Sequence, residues 1–130
     1  MLVSTKGRYA LMIMVYLARH AQDSPVSLKN IAENNDMGMK YLEIIVASLN
    51  KAGLLYSSRG KNGGYMLNKK PSEYTLLSIL NAAEGDLAPA ACVEEGFCDN
   101  ADNCKTCAMW KELQSMIEQH LASKTLADII

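Results

Sequence analysis

No apolar run in this 130-residue chain approaches the roughly 20 residues needed to cross a bilayer, which excludes a membrane-spanning helix. Nothing at the N-terminus has the form of a secretory leader, because Ser4, Lys6 and Arg8 interrupt the first apolar residues. A reducing, cytoplasmic setting is the expectation. Internal repeats and low-complexity segments are missing, and the length suits one domain or a small domain with an extension. P-loop spacing is missing too: Gly60-Lys61-Asn62-Gly63-Gly64 is glycine-rich but falls between two strand-like runs, which argues against a nucleotide site. Only two histidines occur. His20 stands where a helix should end and a cation complements its dipole, and His120 lies about four helical turns beyond the cysteines. Outside residues 92–107 there is no cysteine at all.

Inside that window there are four: Cys92, Cys98, Cys104 and Cys107, spaced C-x5-C-x5-C-x2-C. Thiolates are preferred ligands of iron–sulfur clusters and of structural zinc, and a short loop can wrap one such centre without long-range folding. The residues between them, Val93 to Phe97 and Asp99 to Asn103, read mostly as loop. A metal or cluster site is favoured over a disulfide pair, and zinc stays open because it accepts the same four thiolates. Cys104-Lys105-Thr106-Cys107 also has the spacing of a thiol–disulfide redox motif. No βαβ pattern surrounds it, and that reading leaves two cysteines unexplained.

The total charge of −1 hides a split. Residues 1–70 carry ten Lys/Arg against four Asp/Glu, and residues 71–130 carry three against ten, so the halves are +6 and −7. A cationic half beside an anionic one suggests that the first meets a polyanion.

The pattern along the chain says which. Ser4 or Thr5 caps a first helix, with Tyr9, Met12, Ile13, Tyr16 and Leu17 as its buried stripe. Ser27 caps a short second helix that Asn34, Asn35 and Asp36 stop, and Gly38 permits a tight turn. A third helix turns Leu42, Ile45, Val46 and Leu49 inward, ends at a left-handed Gly53, and offers Met39, Lys40, Glu43, Ala47 and Ser48 outward. A hairpin follows over 54–68, with Tyr56 and Tyr65 as a facing pair and Arg59 and Lys61 at its tip. The predicted class is mainly α with a small β-hairpin: a winged helix-turn-helix, residues 1–70, followed over 71–130 by a cysteine loop and a long C-terminal dimerisation helix. Thr75 caps a fourth helix ended by Gly85, and the long helix is predicted over 103–121. On it Trp110, Leu113, Ile117 and Leu121 form one apolar stripe, and Met109 with Met116 forms a second. The second is surplus to one small domain and reads as a homodimer contact. Thr125 to Asp128 has capping-box spacing for a last turn. The eight methionines read mainly as adaptable filler.

If the third helix enters a major groove, Lys40 is placed for a phosphate or guanine, Glu43 for a cytosine amino group, and Tyr41 for a backbone or core contact, with Met39 beside them. Lys6, Arg8, Lys51, Arg59 and Lys61 fall on elements that a winged helix turns toward phosphates, and Arg59 is the candidate for the minor groove.

The opening Ser4-Thr5-Lys6-Gly7-Arg8-Tyr9-Ala10, the segment Lys40-Tyr41-Leu42-Glu43, the wing Ser58 to Tyr65 and the run Cys107-Ala108-Met109-Trp110-Lys111-Glu112-Leu113 together resemble IscR-type regulators of the bacterial Rrf family of winged-helix transcription factors. The resemblance covers essentially the whole chain. It implies a homodimer on palindromic double-stranded promoter DNA that senses iron–sulfur, redox or nitric oxide status through a cluster. It also implies that Cys92, Cys98 and Cys104 are ligands. In IscR-like members a histidine stands where this chain has Cys107, and in the nitric-oxide-sensing branch an acidic residue near the N-terminus completes the site, where this chain has Arg8. Coordination by all four thiolates is the expectation, with [2Fe-2S] preferred over [4Fe-4S] and zinc as the alternative.

Overall fold

The structure is a computed structural model that describes residues 3–94, 98–100 and 102–130. Helix α1, Thr5–His20, starts because the Ser4 hydroxyl accepts the Lys6 N–H at 3.2 Å. Helix α2, Leu28–Asn35, and α4, Leu76–Glu84, start the same way on Ser27 and Thr75. Helix α3 is Met39–Lys51, strands β1 and β2 are Leu55–Ser58 and Gly64–Leu67, and α5 is Cys107–Ser123. The two strands pair antiparallel, and three short 3-10 turns complete the order at Pro71–Glu73, Ala91–Val93 and Leu126–Asp128.

One core joins these elements. Ala10, Ile13, Met14 and Leu17 of α1 meet Ile31 of α2, Leu42, Ile45, Val46 and Leu49 of α3, Ile79 and Ala83 of α4, Tyr74 and Leu126. Residues from both sides of position 70 therefore share it. The chain returns after α5 to the start of α4: Leu76 N–H donates to Lys124 O at 2.9 Å and Leu126 N–H to Tyr74 O at 2.9 Å. The Thr125 capping box closes on Asp128, whose Oδ2 accepts the Thr125 N–H at 2.8 Å.

Several sequence expectations need correcting. The α1 stripe is centred one residue away from the expected one, on Ala10, Ile13, Met14 and Leu17, with Met12 44% exposed and Tyr9 and Tyr16 half-buried. Between α2 and α3 the left-handed residue is Asp36, at φ 51°, which short polar side chains tolerate. Gly38 is extended at φ −64°. Tyr56 and Tyr65 do not face each other: the register pairs Tyr56 with Met66 and Tyr65 with Ser57, and strand pleating puts the two tyrosines on opposite faces. Helix α5 begins at Cys107, four residues later than expected, because Cys104 to Thr106 stay outside helical bonding and the bond that opens the helix runs from Trp110 N–H to Thr106 O at 3.2 Å. On α5, Leu113 sides with the two methionines, while Trp110, Ile117 and Leu121 are half-buried.

The wing is held from outside the hairpin. Val26, just before α2, exchanges both backbone bonds with Tyr65, at 2.9 and 2.8 Å. A Cβ on Gly64 would collide with Val26 O, so only glycine admits this approach.

Tyr74 locks the far end. It is 1% exposed, and its hydroxyl accepts the N–H groups of Asn68 and Lys69 at 2.9 and 3.0 Å. Its proton goes to Leu54 O or Asn68 Oδ1, 2.9 and 2.8 Å away. Burial raises its pKa above the ordinary tyrosine value, although the two backbone donors pull the other way. Tyr74→Phe strands these partners without removing any apolar contact. It is expected to cost about 2–3 kcal/mol and to lower the thermal midpoint by roughly 5–15 °C, read by circular dichroism. A midpoint unchanged within about 2 °C would show that the hydroxyl carries nothing.

Candidate nucleic-acid interface and cysteine segment

Helix α3 exposes Lys40, Glu43 and Ala47 away from its buried residues, while Met39, exposed as the first residue of the helix, lies on the same side as Leu42 and Val46 rather than on the expected outward face. Lys40 and Glu43 are three positions apart, so both project from its first turns on one side. Tyr41 does not join them. Its ring meets that of Tyr9 edge-on, 5.7 Å between centroids at 68°, so it ties α3 to α1. Arg59 and Lys61 are exposed at the wing tip, where Gly63 N–H donates to Gly60 O at 3.0 Å and closes the turn. Lys6 and Arg8 stand at the start of α1, with the Arg8 guanidinium donating to Thr5 Oγ1 at 3.2 Å. The only ion pair among the described residues is Lys29–Glu33, so these cations have no carboxylate neutralising them there. Three elements thus present basic side chains with their charge available to a polyanion.

The cysteine segment begins at Gly85, just past α4. Leu87 and Ala88 are buried and pin its first residues, and Gln114 of α5 donates to Asp86 Oδ1 at 3.1 Å. Cys92 sits in the turn Ala91–Val93, which packs against α5. Cys107 is buried as the first residue of α5, and Cys104 lies just ahead of the helix rather than on it. Glu95, Gly96, Phe97 and Ala101 of this segment lie outside the described residues. All four cysteines are free thiols. Among the described residues no three ligand-type side chains converge to metal-holding distance, so the structure places the thiols on one segment without gathering them.

The donors nonetheless suit a soft metal centre. Cys104 Sγ lies 3.4 Å from Thr106 Oγ1. The Thr106 hydroxyl, then the N–H groups of Thr106 and Cys107, stabilise its anion and lower its pKa below the usual thiol value. Sequence reasoning missed Thr106 in this role, and it missed Leu113 on the exposed face of α5. The i, i+4 spacing of Met109 and Leu113 was the available signal for the second.

Comparison with known proteins agrees with this arrangement. The profile of the Rrf2 family, described as "Iron-dependent Transcriptional regulator", matches residues 3–130. The HTH-type transcriptional regulator IscR of Yersinia enterocolitica is 35% identical over 130 residues, covering 100% of this chain and 79% of the relative. Among solved structures, CymR (YrzC), the global cysteine regulator of B. subtilis, superposes with a TM-score of 0.78 at 36% identity, over 99% of this chain and 95% of that one. IscR of T. potens does so at 0.78 and 38% identity, over 99% and 85%. No described helix is long and apolar enough to cross a membrane. With winged-helix neighbours of this similarity and relatives such as IscR named as transcriptional regulators, the chain belongs to the Rrf2 family and is a DNA-binding transcriptional regulator of the IscR-like kind, not an enzyme.

Proposed function

We propose that the protein acts as a homodimer on palindromic promoter DNA, and that the thiolates of Cys92, Cys98, Cys104 and Cys107 hold an iron–sulfur cluster, [2Fe-2S] in preference to [4Fe-4S]. The observation that carries this is the donor set itself: four unbridged thiols on one segment of a chain that matches an iron-dependent regulator family from end to end. Bound there, a cluster supplies a centre that oxidants, nitric oxide or iron scarcity can alter or dismantle.

Cys107 opens α5, α5 packs on α4, and α4 packs on both α1 and α3. Ordering the cysteine segment fixes the start of α5, and the exposed apolar side of that helix is the proposed seam between protomers. The seam sets how far apart the two α3 helices stand. Half-sites on a duplex repeat at about 34–36 Å, so a small change in that distance alters the fit to an operator. Lys40 and Glu43 read base edges, while Lys6, Arg8, Arg59 and Lys61 meet phosphates and the minor groove.

Anaerobic purification tests the reading directly. The expected protein is brown, contains iron and acid-labile sulfide in comparable amounts, and binds its promoter with a different affinity once stripped. A colourless protein carrying one zinc per chain would replace the cluster with a structural metal. Identical promoter binding by loaded and stripped samples would end the sensing role.

A further inference from the structure

The side chain of Glu84 is held by the opposite end of the chain. Its Oε1 accepts the Ser4 N–H at 2.7 Å, the Ser4 hydroxyl at 2.7 Å and the Gly7 N–H at 2.8 Å. A helix begins with four N–H groups that have no partner within it, and its N-terminal end favours negative charge. The first turn of α1 contains no acidic residue of its own. Glu84, the last residue of α4, brings that charge from elsewhere in the fold. Bonds to an ionised acceptor are roughly twice as strong as neutral ones, so three of them make a firm anchor.

Gly7 is fitted to this contact. A Cβ there would fall on Glu84 Oε1 and within 2.9 Å of its Cγ, so any other residue pushes the carboxylate away. Glycine inside a helix is otherwise less stable than alanine, and the approach of Glu84 accounts for its presence. Lys6 and Arg8 flank Gly7 on either side. Directly after Glu84 comes Gly85, at φ 80°, where the cysteine segment begins. The anchor therefore joins the two ends of the proposed sensing route: cations at the start of α1, and the origin of the thiol-bearing segment.

We propose that Glu84 is a positioning residue for DNA binding: by pinning Ser4 and Gly7 it holds Lys6 and Arg8 in the orientation that meets backbone phosphates. The proposal rests on the phosphate-contacting reading of these two cations given above. Its test is the salt dependence of binding to a random-sequence duplex, followed by fluorescence anisotropy over a series of salt concentrations. Each phosphate contact contributes about 0.9 to the slope of log K against log salt, so Glu84→Ala lowers the magnitude of the slope by about 1–2. Glu84→Gln, which keeps an oxygen acceptor, retains most of the wild-type slope. Gly7→Ala reproduces the loss in the wild-type background and adds nothing in the Glu84→Ala background, because the carboxylate it displaces is already gone. A merely structural anchor would lower the thermal midpoint and leave the slope alone.

Folded Glu84→Ala protein with the wild-type slope overturns the proposal. So does a Gly7→Ala effect that is fully additive with Glu84→Ala. If wild-type slope is unchanged by replacing Lys6 and Arg8 themselves with Ala, it is the phosphate role of those cations that fails.

Discussion

Replacing Met109 and Met116 together by Glu is expected to convert a dimer into monomers and to weaken binding to a palindromic duplex by about 10²–10⁴-fold. Met109, Leu113 and Met116 recur at i, i+4 and i+7 on α5 and are 49%, 38% and 61% exposed. Within the chain α5 contributes one buried residue, Cys107, so most of this 17-residue helix lies uncovered. Burying a side chain of this kind stabilises by roughly 1.5–3 kcal/mol, and a symmetric seam counts each residue twice. Two carboxylates on each side of that seam would face each other without partners, which no dimer of modest area withstands. The same positions touch little inside the protomer, so circular dichroism should report an intact helical fold. Sedimentation velocity decides the matter. A double variant that still sediments as a dimer would place the seam elsewhere, and one that is monomeric yet binds the palindrome with wild-type affinity would remove the need for two copies.

The parts of the fold that were readable in advance are those governed by neighbours in sequence. Ser4, Ser27 and Thr75 were identifiable as caps because the bond each makes spans only two or three residues. The inward face of α3 followed from its period, and all four expected residues are buried. What stayed hidden depends on distant chain segments. No local pattern announces that Val26 pairs with Tyr65, that the Tyr74 hydroxyl gathers Leu54, Asn68 and Lys69, or that Glu84 reaches Ser4 and Gly7 across 80 and 77 positions. The cysteine segment shows the same division. Its spacing can be read as a ligand set, but whether the thiols stand together depends on the path of the backbone between them, and spacing does not supply that. The start of α5 escapes a local reading for the same reason: a helix is costly to nucleate, and this one begins at Cys107, the residue that packing buries.

Cys98→Ala is expected to abolish the visible absorbance of anaerobically purified protein and, with it, any difference in promoter affinity between loaded and stripped samples. Cys98 and Cys104 both stand outside helices and turns, but Cys104 is held beside Thr106, while Cys92 rides on a 3-10 turn and Cys107 is set in α5. Removing Cys98 therefore disturbs coordination with the least effect on packing, and the apo fold should keep its thermal midpoint. Replacing Cys107 is a less clean experiment because that residue is buried at the head of the helix, where a lost sulfur also leaves a cavity. The comparison between the two still separates ligand number from structure. If all four thiolates coordinate, each single variant loses iron and sulfide. If three suffice, Cys107→Ala keeps the colour and loses only stability, whereas Cys98→Ala loses the colour alone. Unchanged absorbance and unchanged promoter affinity in Cys98→Ala would leave the thiol segment without a sensing role and reduce the protein to a helix-in-groove binder.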